Sequence, residues 1–282
     1  MVVQQLLVGL IGILAVAYGL TYLRNKRRNT EGFSPSPILT PPATQGTAPP
    51  APPEDDTRDL PWISTWSTAD RAARAGDNCN PVYREAGPDG TFILTTPATC
   101  ESGMAHTRPG DRIILPESIP VSAHEETVQH ELIHVYQRRN PTLWLEFYRR
   151  QWSFLFYAEP PRDLPRAVRE ARRSNPDTWD PTSGGPWACW QGRYWPIPVY
   201  TNPAHPRLRD ARVVWWDAQT RTVLQEAPAP WRQFFGRPTQ EEHPHELAAV
   251  GITSGDSSSE AGRRLLSWWT STGRAQARAS PS

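Results

Sequence analysis

The sequence predicts an α+β domain, and three observations carry that prediction. Short apolar runs come first, helical patterns follow, and a hairpin pattern returns late in the chain. The absence of regular strand–helix alternation argues against a doubly wound sheet.

Taken in order, residues 65–75 read as a short helix. Residues 91–95 and 112–115 are apolar runs bounded by Gly or Pro and read as strands. A helix of about eighteen residues follows, with Ser122 as N-cap and Glu125 and Glu126 in its first turn, where negative charge suits the dipole. Val128, Leu132, Val135 and Tyr136 recur on it at helical spacing. Arg138 and Arg139 suit its C-terminus, and Asn140-Pro141 stops it and starts the next helix. Residues 141–157 carry Leu143, Trp144, Phe147, Tyr148, Phe154 and Leu155, the wide apolar surface of a buried helix. A shorter basic helix is expected over 165–173. Residues 187–200 read as a strand, a Gln191-Gly192 turn and an extended return. Residues 211–217 and 221–225 read as a hairpin. Helices over 244–250 and 259–271 close the domain, which spans 62–273, and there are no internal repeats.

Thirty basic and 29 acidic residues nearly cancel, so no charge asymmetry points to nucleic acid. Thirteen tryptophans imply a core of large rings or an aromatic-lined cleft. Cys79, Cys100 and Cys189 have no C-x-x-C spacing, which argues against a cysteine zinc site. Their small, odd number suits a reducing compartment; in an oxidising one, Cys79 and Cys100 are the pair expected to bond.

Residues 1–29 read as a membrane anchor and its basic flank. The stretch 2–23 is uncharged and long enough to cross a lipid bilayer as a helix, and Arg24, Lys26, Arg27 and Arg28 follow at once. That asymmetry places the N-terminus outside and the folded domain on the cytoplasmic side. The competing reading is a signal peptide cleaved near Ala15-Val16-Ala17, but the basic leading region is missing and the apolar run continues past that point. Residues 30–61 are a proline-rich linker, which at ~3.1 Å per residue reaches ~100 Å. Residues 274–282 read as a disordered tail.

The chemistry is concentrated in His130-Glu131-Leu132-Ile133-His134. On a helix the two imidazoles project from one face, one turn apart, and can share a metal ion. Glu131 points to the side, within reach of a water on that metal. The bland alternative is a pair of surface histidines on an amphipathic helix. His124-Glu125 begins a second such pattern, but Val128 stands where the partner histidine belongs.

A strand followed by a helix with this motif resembles the zincin metallopeptidases. The stretch 130–138, followed by Asn140-Pro141, is also similar to uncharacterised zincin-type proteins of large DNA viruses of algae. The resemblance implies a small sheet packed on the motif helix, one catalytic Zn2+, Glu131 as the general base and a peptide or protein substrate, with the strand ahead of the motif helix edging the cleft. It also implies an endopeptidase-type hydrolase, which the charge asymmetry above places on the cytoplasmic, or virion-interior, side. The alternative is a zincin-fold membrane-tethered interaction or virion structural protein with little turnover; a zinc hydrolase of a non-peptide bond is a third possibility.

A catalytic zinc takes three protein ligands. Gln137 and Asn140 exclude the metzincin pattern, which needs Gly and His there. The resemblance then implies a glutamate on a later helix. Glu246 is the leading candidate for the third ligand beside His130 and His134: Pro244 starts its helix, and Ala248 and Ala249 permit close packing. Glu159 and Glu146 are alternatives, with Glu242 and His243 as fallbacks. Tyr194, Tyr200, His243 and His245 are candidate oxyanion donors, and Asp177 is a conceivable outer partner for a histidine, though Asn175-Pro176-Asp177 also reads as a turn.

Overall fold

The computed structural model describes residues 60–179, 185–238 and 240–273. The expected anchor, nearly all of the proline-rich linker and the tail lie outside the described residues. Among the described residues no helix is long and apolar enough to cross a membrane.

The helix expected over 65–75 is α2 (Thr68–Ala73), and a further short helix, α1 (Leu60–Ser64), precedes it. Ser67 separates them because it caps α2: its hydroxyl accepts from the Asp70 N–H at 3.0 Å, and the Asp70 carboxylate reaches back to the Ser67 N–H.

A four-stranded sheet follows, from β1 (Tyr83–Ala86), β2 (Phe92–Thr96), β3 (His106–Arg108) and β4 (Arg112–Pro116), in the order β1-β2-β4-β3. β2 and β4 run parallel; the other pairs are antiparallel. The turn between β3 and β4 needs left-handed backbone at Gly110 (φ 82°) and Asp111 (φ 58°). The strand 112–115, expected at the cleft edge, is internal. β3 is the edge, and its polar sequence His-Thr-Arg gave no apolar run to mark it.

The motif helix, α3 (His124–Arg139), lies between this sheet and the larger core. Its Val135 packs on Ile93, Ile113 and Leu115 of the sheet, with Val128 and Leu132 beside them. Ile133 and Tyr136 face the other way, into the main core. The expected cap at Ser122 is displaced: residues 121–123 form a 3-10 turn, and Ala123 holds the N-cap position without a side-chain bond.

Helix α4 (Pro141–Trp152) ends earlier than expected. Ser153 turns left-handed (φ 61°), and the rest of the apolar run becomes β5 (Phe154–Tyr157). Four consecutive apolar side chains, three of them aromatic, suit a strand as readily as a helix end. After a short helix α5 (Arg166–Glu170), β5 joins an antiparallel meander with β6 (Trp187–Trp190), β7 (Tyr194–Tyr200), β8 (Ala211–Asp217) and β9 (Thr222–Leu224). The predicted hairpin is β8–β9.

This second sheet is buried on both faces, which explains the tryptophans. Trp190 and Trp215 face the main core with Trp231 of α6 (Ala229–Phe235); Trp187, Trp195 and Trp216 face a second cluster around Leu164 and Ile197. The Trp215 and Trp231 rings meet edge-on, centroids 4.5 Å apart. Helices α7 (Pro244–Ser254) and α8 (Glu260–Trp268) complete the main core.

Pro196 and Pro198 lie inside β7 and have no N–H to donate. The segment leading from α5 docks along that part of β7 instead: Tyr200 N–H donates to Ala171 O and Arg173 N–H to Pro198 O, both at 2.9 Å. Residues 174–178 continue from there toward the motif helix.

Cys79 and Cys100 form a disulfide, and Cys189 is a buried free thiol. The bonded pair is the one expected for an oxidising compartment rather than a reducing one.

Candidate metal centre

His130 and His134 sit one turn apart on α3, ring centroids 4.9 Å apart, with their Nε2 atoms separated by 3.1 Å. Helix α7 brings Glu246 to the same point. It starts there because His243 caps it, accepting the His245 N–H at Nδ1, and Pro244 fixes the first turn. Ala248 and Ala249 are fully buried, and their small side chains let α7 approach α3 closely. Glu246 Oε2 lies 3.4 Å from His130 Nε2 and 3.6 Å from His134 Nε2.

These separations test the fit to a metal. A tetrahedral ion with ligands at about 2.0–2.1 Å places its donor atoms about 3.3–3.4 Å apart. The observed 3.1, 3.4 and 3.6 Å bracket that value. Two imidazoles and one carboxylate, converging on a common point, are a donor set for a divalent ion of the zinc type.

His134 is prepared for this role by its surroundings. Gln137 Nε2 donates to Tyr148 Oη and to the His245 carbonyl, both at 3.0 Å. Those two acceptors fix the amide orientation, so Gln137 Oε1 must accept, and it takes the His134 Nδ1–H at 2.8 Å. In the neutral ring this bond places the proton on Nδ1 and makes Nε2 the atom that faces Glu246 as a donor to a metal.

The electrostatics match the geometry. Burial works to raise the Glu246 carboxyl, but His134 and hydrogen bonds from both imidazoles hold it well below the usual range. Burial likewise opposes a charge on His134, yet Glu246 and then Asp177 lift its pKa to about 10.

Glu131 is buried beside this cluster, and its Oε2 has no hydrogen-bond partner. Burial, then the charge of Asp177, push its carboxyl well above the usual range. Asp177 is both a turn residue and a site residue. Its N–H is capped by Asn175 Oδ1 at 3.0 Å, and its own Oδ1 accepts the Thr107 N–H (2.6 Å) and hydroxyl (2.7 Å). It lies by Glu131 and His134 but does not take the Nδ1–H of His134, which Gln137 holds.

A cleft of about 940 Å³ opens over the cluster, and His130, Glu131 and Glu246 all line it. No tryptophan is among its lining residues; the rings serve the core. Ala105 and His106 bring the N-terminal end of β3 to the cleft. Beyond them the edge is closed at Thr107, whose N–H is held by Asp177 and whose carbonyl accepts from Arg138 Nη2 at 3.3 Å.

Several sequence candidates fall elsewhere. Glu159 is exposed, and Glu146 is exposed and pairs with Arg150. Glu242 lines the cleft, but Asn175 and Arg173 occupy its two oxygens. None of the expected oxyanion donors reaches the cleft: Tyr200 Oη bonds Asp70, Tyr194 stacks on Trp190, His243 caps α7, and His245 packs against Tyr148 and Phe156. Sequence reasoning missed Gln137, read only as a break in the metzincin pattern, and Arg173 and Asn175, whose roles depend on contacts about 70 positions away.

His106 gives a pH-dependent signature. Burial, then the charge of Arg108, hold its pKa down at about 3, and its Nδ1–H donates to Met104 O at 3.1 Å. The unfolded chain binds a proton below pH ~6.5 that folded His106 refuses down to about 3, so stability falls as pH falls across that window. The expected slope from this one group is about 1.4 kcal/mol per pH unit. Urea unfolding between pH 6 and 4 should show a shallower slope in His106→Leu than in the wild-type chain; parallel slopes would assign the acid sensitivity elsewhere.

Comparisons of the chain with family models, with curated proteins and with solved structures returned no match.

Proposed function

We propose that this chain is a zinc-dependent metallopeptidase of the zincin type, tethered to a membrane through residues 2–23. The observation that carries the reading is the convergence of His130, His134 and Glu246 beside an unpartnered, buried Glu131 at the floor of a cleft. When bound there, a divalent metal supplies an acidified water and a Lewis acid for a substrate carbonyl.

The residues of the chain supply the rest. His130 and His134 would hold the ion through Nε2, and Gln137 orients the second of them by accepting its Nδ1–H. The Glu131 carboxylate, which lines the cleft, would take a proton from the attacking water and return it to the leaving amine. The closed edge at Thr107 limits main-chain pairing with an extended peptide to the Ala105 end of β3. Localisation is part of the proposal: the Cys79–Cys100 bond supports a domain facing an oxidising compartment, the reverse of the orientation that the basic flank suggests.

The test combines metal content with turnover. The wild-type chain should hold one Zn2+ per chain and cleave a peptide library, with cleavage stopped by a chelator. Glu246→Ala should lose most of the metal. Unchanged metal content would hand the third-ligand role to another residue, and bound metal without turnover would favour a tethered interaction protein.

A further inference from the structure

Two carboxylates stand at the start of α7 beside the candidate metal centre, and only one of them reaches the imidazoles. Glu242 and Glu246 both line the cleft, four residues apart at the start of α7. One side chain touches both. Asn175 Nδ2 donates to Glu246 Oε1 at 2.7 Å and to Glu242 Oε1 at 2.8 Å. Its Oδ1 accepts the Asp177 N–H at 3.0 Å, which fixes the orientation of the amide. Glu242 Oε2 is taken by Arg173 Nη1 at 3.2 Å. Both oxygens of Glu242 are thereby engaged, whereas Glu246 keeps Oε2 free, and that is the oxygen aimed at the two imidazoles.

We propose that Asn175 is the positioning residue that selects Glu246 over Glu242 as the third metal ligand, with Arg173 holding the rejected carboxylate aside; the proposal rests on the metal-site reading above. Two carboxylates that share one amide donor are close enough to repel each other and to compete for a cation. Asn175 offers one N–H to each, and Arg173 neutralises Glu242. The strand-like docking of residues 171–173 on β7 and the bonds from Ser174 to Asp70 keep Asn175 in place.

Asn175→Ser separates this role from a structural one. Serine can still cap the turn at Asp177 but cannot reach Glu246. In the full chain, thermal unfolding of Asn175→Ser should match the wild type. Its affinity for Zn2+ by equilibrium dialysis should fall about 10–100-fold, the usual loss for an outer partner of a ligand. The visible absorption of the Co2+-substituted protein should change with it. Adding Glu242→Gln removes the competing charge and should restore most of the affinity and the Co2+ spectrum.

Wild-type affinity and spectrum in Asn175→Ser overturn the proposal, as does a loss that Glu242→Gln fails to reverse. If Asn175→Ser does not fold, Arg173→Ala frees the same Glu242 oxygen and should alter the Co2+ spectrum; an unaltered spectrum overturns the proposal equally. A wild-type chain that binds neither Zn2+ nor Co2+ overturns the metal-site reading itself, a result separate from a wild type that binds and a variant that matches it.

Discussion

Replacing Glu131 by Gln should lower peptide hydrolysis by about 10²–10⁴-fold while leaving metal content unchanged, the loss expected for a general base. Glutamine keeps the size of the side chain and removes its basicity. Glu131 is not one of the three residues, His130, His134 and Glu246, proposed as ligands, although it groups separately with His134 and Asp177, so the ion should stay. The pair of measurements matters more than either alone. Loss of activity with retained metal places Glu131 in proton transfer, whereas loss of both would make it part of the metal's support. Activity within a few-fold of wild type would remove it from the chemistry.

The largest expected effect on stability lies outside the cleft, at Asp70. This carboxylate is fully buried. It accepts from Arg74 Nη1 at 2.6 Å, Tyr200 Oη at 2.8 Å, Ser174 Oγ at 2.7 Å and the Ser174 N–H at 3.0 Å. Arg74 in turn grips Glu101 with two bonds of 2.8 and 2.9 Å and donates to Ser174 O at 2.8 Å. Asp70→Ala leaves these donors buried with fewer acceptors, and breaking a buried ionic network from one side costs about 3–5 kcal/mol. Urea unfolding should report a loss of that size. A loss below about 1 kcal/mol would show that water or a rearranged Glu101 satisfies the freed donors. Because Ser174 neighbours Asn175, the same substitution should weaken metal binding in whatever fraction stays folded.

What was legible in the sequence was local. The i, i+4 histidines, the acidic first turn and the Asn140-Pro141 break are all statements about one helix, and the structure keeps each of them. Glu246 was legible because a proline start, a first-turn carboxylate and small residues after it are also local signals. The failures are non-local. β3 has three polar residues and becomes a strand only because β4 pairs with it. β5 was hidden in an apolar run that either element could use, and the partner strand decided it. Gln137, Arg173 and Asn175 act through contacts that appear only once distant segments meet. The aromatic composition could not say whether the rings belonged to core or cleft; burial of the second sheet on both faces decided for the core.

The proposed ligands lie far apart in the chain, His130 and His134 on α3 and Glu246 on α7, with the whole five-stranded meander between them. A chain still emerging from the ribosome can display both imidazoles but has no third donor until Glu246, 246 − 134 = 112 positions beyond His134, has been translated. Any truncated product ending before Pro244 lacks the pocket altogether. On the proposed reading, the pocket is completed only after the strands of both sheets have been made.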